Sequence, residues 1–393
     1  MVKTGLDLLI GNKSLQQEFS GNVALLCHNA SIDANCQHAA LAFKKIFGAR
    51  LVKLFGPQHG FATDVQDNMI ETGHAIHPYF QIPVYSLYSE TRIPTDSMLE
   101  GIDHLFVDLQ DIGCRMYTYI CTLTLLLEKC QNRDIEVIVL DRPNPINGTD
   151  VEGNVLDMNF RSFIGLHPIP VRHGLTIGEV ALMHQKYWVD QQANLRVIKM
   201  AGWEREMYFA DTRLPWALPS PNIARPESTL IFPATVIFEG TTMSEGRGTT
   251  QALEIIGHPE LESFSLFDKY LQEAVKKSGL PGFVLRPITF LPTFQKHAHQ
   301  TCGGLQIHVT NSKTFRPWRT GQFLQRELYQ HMEADFEWLD PPYEYNYDSM
   351  PIDIINGTDK LRQWVAGNGP LEQLDSFEDL GDYLLRWEEI KIY

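Results

Sequence analysis

The chain has 393 residues, 44% hydrophobic and 21% charged, and a formal net charge of −15. That length exceeds one ordinary core and predicts two domains. The acidic balance excludes nucleic acid as a partner, because nothing here replaces the counterions of a phosphate backbone, yet a small anion needs only one or two well-placed arginines.

The N-terminus MVKTGLDLLI is too short to be a leader, and no apolar run of about 18 residues follows it. A chain with no membrane span and a cytoplasmic location is expected, although a chain trimmed of its leader would read the same way. Cys27, Cys36, Cys114, Cys121, Cys130 and Cys302 show no C-x-x-C spacing and read as reduced thiols.

Strands are predicted over 23–27, 51–55, 104–109, 136–140 and 195–200. Helical patterns over 37–47, 117–129 and 177–188 lie between them. This alternation predicts an α/β domain with a mostly parallel sheet covered on both faces. CHNAS, GPQHGF, DLQDIGCRMYTY and DRPNPINGTDVEGN each fall at the end of a predicted strand, so four polar loops would converge on one crevice. The second of these loops opens the densest polar run of the chain: Gln58, His59, Asp64, Gln66, Asp67, Asn68 and Glu71, interleaved with Phe61 and Met69.

The segment 229–238 reads as strand-like and leads into FEGTTMSEGRGTTQALE. There Gly246 and Gly248 flank Arg247, and Glu239 and Glu245 can both turn inward. Beyond residue 258 the character changes: helical over 260–278, rich in Pro, Phe and His over 282–299, a strand over 304–309, then helices over 321–331 and 376–390. The division is expected near residue 258, giving a catalytic unit over 1–258 and a smaller α+β unit over 259–393 that closes a cleft.

Generic signatures exclude several chemistries. There is no G-x-G-x-x-G, no Walker A loop and no H-E-x-x-H, and His59, His74 and His77 lack metal-ligand spacing. No metal and no cofactor are expected. Cys27 and His28 are adjacent on an extended strand and point to opposite faces, so a buried structural cysteine is the better reading. Asp108 and Asp111 bracket a strand end ahead of Arg115, Tyr117 and Tyr119. Asp141, Arg142 and Asn144 form a rigid turn whose aspartate either caps a helix or holds a hydroxyl. His173 precedes a predicted helix, and Asn222 lies in a second rigid turn near Trp216. Amides, carboxylates, arginines and aromatics without cofactor signatures suit a carbohydrate site.

FGPQHGF, VYSLYS with R-x-P-T, DLQDIGCRMYTY, VLDRPNPINGTDVEGN, RHGLTIGE, WALPSPN, EGTTMSEGRGTT and PIDIINGTDKLR run in order along the chain. Together they resemble the signatures of the bacterial exo-acting β-N-acetylmuramidases of peptidoglycan turnover. The resemblance implies a Rossmann-like domain, a smaller C-terminal domain and a cleft between them. It also implies release of N-acetylmuramic acid from the non-reducing end of cell-wall fragments without a cofactor.

This chain departs from the family in one position: many members carry Glu where Gln58 stands, and an amide cannot donate a proton as a carboxylic acid does. The acid role is therefore expected at Glu71, raised by partial burial near Met69 and Phe61, with Glu239 or Glu245 next. His59, Asp111, Tyr117 and Tyr119 would hold and polarise the sugar, and Arg115 or Arg247 would pair with the lactyl carboxylate. Two rivals stand beside this reading. One is a serine hydrolase using Ser244 with His173 as base; the other is a sugar-binding protein that has lost hydrolysis.

Overall fold

The computed structural model describes residues 1–67 and 69–393; Asn68, named above among the polar residues, lies outside the described residues. The strands are β1 (Val23–Cys27), β2 (Leu51–Gly56), β3 (Ala75–Ile76), β4 (Pro83–Ser86), β5 (His104–Asp108), β6 (Glu136–Leu140), β7 (Glu152–Val155), β8 (Pro170–Arg172), β9 (Asn194–Ile198), β10 (Ile255–His258), β11 (Phe283–Phe290) and β12 (Cys302–Val309). A seven-stranded sheet has the order β3-β4-β2-β1-β5-β6-β9. Every pairing in it is parallel except β3 with β4.

From β1 the chain winds outward through β2 to β4, then returns to β5 on the other side of β1. The order therefore reverses between β1 and β5, and the loops leaving their carboxyl ends diverge to open a crevice. Burial explains why these strands read as continuous apolar runs. Ala24, Leu26, Leu105, Val107, Val137 and Val139 enter one core, beneath helices Tyr119–Cys130 and Ile177–Met183. Val23, Leu25, Phe106, Ile138 and Leu140 enter the other, beneath Gly5–Gly11 and Ala39–Phe47. With both faces covered, neither set of alternating side chains can be polar.

The expected strand over 229–238 is not one. Residues Pro226–Thr235 form a helix that continues as a 3-10 turn over Val236–Gly240. Pro226 supplies a preset φ at the first helical turn, and Ser228 to Thr235 are buried on every side, so the run carries no amphipathic period to betray a helix. Helix Pro317–Met332 packs on it so closely that a Cβ at Gly321 would lie 2.4 Å from the Ala234 carbonyl oxygen.

The smaller antiparallel sheet has the order β10-β12-β11. The expected division near residue 258 falls at the end of β10, a strand of this second sheet. The C-terminal residues return to the first sheet: the Trp387 indole donates to the Gly174 carbonyl at 3.1 Å and the Tyr393 hydroxyl to Asp141 at 2.6 Å. Among the described residues, no helix is long and apolar enough to cross a membrane.

Candidate active site

A pocket opens at the carboxyl ends of β2 and β5. It is lined by Gln58 and His59, by Met116 to Tyr119, by Ser220, by Phe232, Val236 and Glu239, by Arg247 and Leu253, and by Tyr343 and Glu344. Its enclosed volume is about 50 Å³, room for a water or two rather than a pyranose ring.

The loop after β2 supplies the floor. Gln58 accepts from the Thr118 hydroxyl at 2.6 Å, and its side chain lies close enough to Glu344 to influence that carboxyl. His59 sits at φ 70°, in the left-handed region. Its Nδ1 bonds the Val65 carbonyl at 2.8 Å, so Nδ1 carries the proton and Nε2 is left as an acceptor. Burial, with the nearby Arg247 charge, lowers its pKa to about 4 and keeps the ring neutral.

The switch point supplies support. The Gln110 N–H donates to His28 Nε2 at 3.0 Å, so His28 Nδ1 is protonated and faces the Tyr119 hydroxyl at 3.3 Å, while that hydroxyl donates to the Pro219 carbonyl. Tyr117 and Tyr119 pack edge to face at 4.7 Å.

The far wall is a charge network. Arg247 pairs with Glu239 and, at 3.0 Å, with Glu245, which also takes the Lys296 ammonium at 3.0 Å. Burial pushes Glu245 upward, but Lys296 and Arg247 outweigh it and hold it below the ordinary carboxylate range. The Tyr343 hydroxyl donates to Glu239 at 2.6 Å. Gly246 and Gly248 take φ of 79° and 80°, and a Cβ on either would strike Ile255 or Phe294. The two glycines turn the chain tightly against protein, not against a ligand, and that turn aims Arg247 inward.

Glu344 was invisible to sequence reasoning. Only 5% exposed, it accepts from the Tyr88 hydroxyl at 3.2 Å and lies close enough to Glu239 to feel its charge. Burial, reinforced by Glu239, raises its pKa to about 7, against the smaller opposing pull of the Tyr88 and Gln58 hydrogen bonds and the Arg92 charge. Glu344 and Tyr345 both have positive φ, 44° and 64°. Both backbones thus sit in the left-handed region, which non-glycine residues adopt at a cost. The signal available in sequence was a carboxylate between two tyrosines after Pro-Pro.

Several expected site residues serve the framework instead. Asp108 is bidentate with Arg142, which also donates to the Ile32 carbonyl. Asp141 caps helix Ile177–Met183, accepting from Thr176, Gly178 and Tyr393, so the capping alternative holds. Asn144 braces Leu175 and Ile146. His173 accepts from the Leu175 N–H through Nδ1, which leaves Nε2 protonated toward Asp111 at 3.3 Å. Asp111 has one buried oxygen, Oδ1, without a hydrogen-bond partner among the described residues. Asn222 holds the backbone carbonyl of Gln66 at 2.8 Å.

Three role expectations need correction. Arg115 is 1% exposed and spends its guanidinium on the carbonyls of Asn154, Ile169, Ile355 and Asn356, so it cannot also clamp a ligand. Glu71 lacks the burial its acid role required: its side chain is 47% exposed, Met69 is exposed as well, and Glu71 bonds the Tyr345 hydroxyl and Arg92 outside the pocket. Ser244 is buried, its Oγ accepting from the Gly246 N–H at 3.1 Å, while the acceptor nitrogen of His173, Nδ1, is taken by the Leu175 N–H.

Beside Glu344, toward solvent, lies one more cation. Arg92 stacks on the Tyr345 ring at 3.8 Å and on the Tyr88 ring at 4.5 Å. It donates to the Ser89 carbonyl, with Glu71 3.5 Å away.

A family model for the N-terminal part of the exo-beta-N-acetylmuramidase NamZ matches residues 23–227, and one for its C-terminal part matches residues 230–393. The chain belongs to the exo-β-N-acetylmuramidase family. It is 40% identical over 339 residues to the peptidoglycan beta-N-acetylmuramidase NamZ of Bacillus subtilis, covering 86% of this chain and 80% of that protein. A crystal structure of a DUF1343 family protein from Bacteroides fragilis superposes with a TM-score of 0.85 at 29% identity, covering 100% of this chain and 99% of that one. A second such protein from the same organism superposes at 0.75 with 24% identity and equal coverage, a likeness of fold alone. The Rossmann-like reading and the family expectation both stand, and the chain is a glycosidase of this family.

Proposed function

We propose that the protein hydrolyses the β-glycosidic bond of a non-reducing terminal N-acetylmuramic acid in peptidoglycan fragments, with Glu344 as the proton donor. The observation that carries this reading is a buried carboxyl with a pKa of about 7, placed in the pocket beside an ion-paired Glu239. Two carboxylates in such different surroundings suit two roles. Glu344 protonates the leaving oxygen; Glu239, polarised by Arg247 and Tyr343, faces the developing oxocarbenium centre.

Gln58 then has a task that an amide performs well: its oxygen is fixed by Thr118, so its N–H₂ orients the Glu344 carboxyl. The neutral His59 and the tyrosine pair offer polar partners and ring faces to the sugar. Arg92 replaces Arg115 and Arg247 as the cation for the lactyl carboxylate, since those two are consumed by carbonyls and carboxylates. The enclosed space is too small for the ring, so binding requires the pocket to widen.

The test is release of chromophore from β-N-acetylmuramoyl and β-N-acetylglucosaminyl aryl glycosides. Selective turnover of the muramoyl compound is expected. Binding of that compound without any release would instead identify a sugar-binding protein and sink the hydrolytic reading.

A further inference from the structure

Away from the pocket, Glu128, His167 and His184 bring one ligand-type atom each to within 4.8 Å of one another. They come from separate elements: Glu128 from helix Tyr119–Cys130, His167 from the loop before β8, and His184 from the π-helical turn His184–Trp188 that ends helix Ile177–Met183. Single π turns recur at functional sites because they re-aim a side chain that an α-helix would place elsewhere.

We propose that this trio is a binding site for a divalent transition ion of the zinc class, with its remaining coordination position open to solvent. The Glu128 Oε1 to His184 Nε2 separation is 3.4 Å. That is long for a hydrogen bond, and it matches the edge, about 3.4 Å, of a tetrahedron with metal–ligand bonds of about 2.1 Å.

The surroundings prepare His167 as a ligand. The Thr124 hydroxyl lies 3.1 Å from the Cys121 carbonyl and 2.9 Å from His167 Nε2; with its single proton given to the carbonyl, it accepts from Nε2. In that arrangement the proton sits on Nε2 and Nδ1 keeps its lone pair, the outer-sphere pattern that orients metal-bound imidazoles. Trp188 stacks on the His167 ring at 4.0 Å and 7° and fixes its plane. His184 is fully buried, and its Nε2 is the ring nitrogen that faces Glu128 Oε1.

Access is available. Glu128 and His167 line an open cleft of about 630 Å³ together with Tyr187, Asp190 and Gln191. Two imidazoles and one carboxylate favour zinc, cobalt or nickel over magnesium or calcium, which prefer all-oxygen shells.

The test uses the full chain without a polyhistidine tag, stripped by a chelator and titrated with Co²⁺. One equivalent is expected to bind, with the visible absorption of a four- or five-coordinate site, and Zn²⁺ should displace it. Glu128→Gln, at a partly exposed position, should weaken binding at least tenfold. Thr124→Val should weaken it about tenfold by freeing the His167 tautomer. Metal-free melting temperatures of both variants are measured to confirm folding. Independently of any variant, Cu²⁺-loaded wild type should show hyperfine coupling to two imidazole nitrogens. Absence of stoichiometric binding, unchanged affinity in folded Glu128→Gln, or a copper signal without two imidazoles would each overturn the site.

Discussion

Replacing Glu344 by Gln should slow catalysis severely while making the protein more stable in alkaline buffer. In the native pocket burial raises the Glu344 pKa from 4.5 to about 7, a bias of roughly 3 kcal/mol against its charged form. The native state thus holds this proton more tightly than the unfolded chain. Its contribution to stability is fully present below pH 4.5 and is lost as pH rises through about 7. Gln keeps the shape and an acceptor for Tyr88 but has no proton to lose. Urea titrations of wild type and variant at pH 5 and pH 8 should therefore diverge, the variant gaining up to about 3 kcal/mol at the higher pH.

Turnover should move the other way. Loss of general-acid catalysis costs about 10²- to 10⁴-fold, and the loss should be largest for alkyl aglycones and smallest for nitrophenyl ones that leave unaided. The wild-type pH–rate profile should fall above pH 7, the limb where Glu344 ionises. A variant that turns over the alkyl substrate within threefold of wild type, or a limb that survives the substitution, would refute the assignment.

Two further outcomes are expected. Arg92→Lys retains the charge but loses the planar fork that lies against Tyr88 and Tyr345; KM for the muramoyl glycoside should rise about tenfold, and binding of the glucosaminyl compound, which lacks the carboxylate, should be unchanged. Arg115→Leu leaves the buried carbonyls of Asn154, Ile169, Ile355 and Asn356 without their donor; urea unfolding should show a loss of at least about 3 kcal/mol, with no selective change in KM of the surviving enzyme.

The parallel sheet was legible because its physics is local. A strand buried on both faces must be apolar throughout, so 23–27 and 136–140 could be delimited from composition alone, and both coincide with β1 and β6. The helix Pro226–Thr235 was not legible, because its burial comes from helix Pro317–Met332, more than eighty residues away in the chain. Likewise Asp108, Asp141 and Arg115 carry the residue types of a site, and only their partners show that they hold the framework together.

By itself the sequence determined the fold class, the family and the loops that meet at the switch point, since each follows from periodicity or from motifs that are contiguous in the chain. Only the tertiary structure decided which carboxylate is buried in the pocket. A carboxyl's pKa depends on the water it loses and the charges it gains. Glu344 acquires both from Tyr88, Gln58 and Glu239, residues between about one hundred and nearly three hundred positions away, while Glu71, inside the most conspicuous motif, stays in contact with solvent.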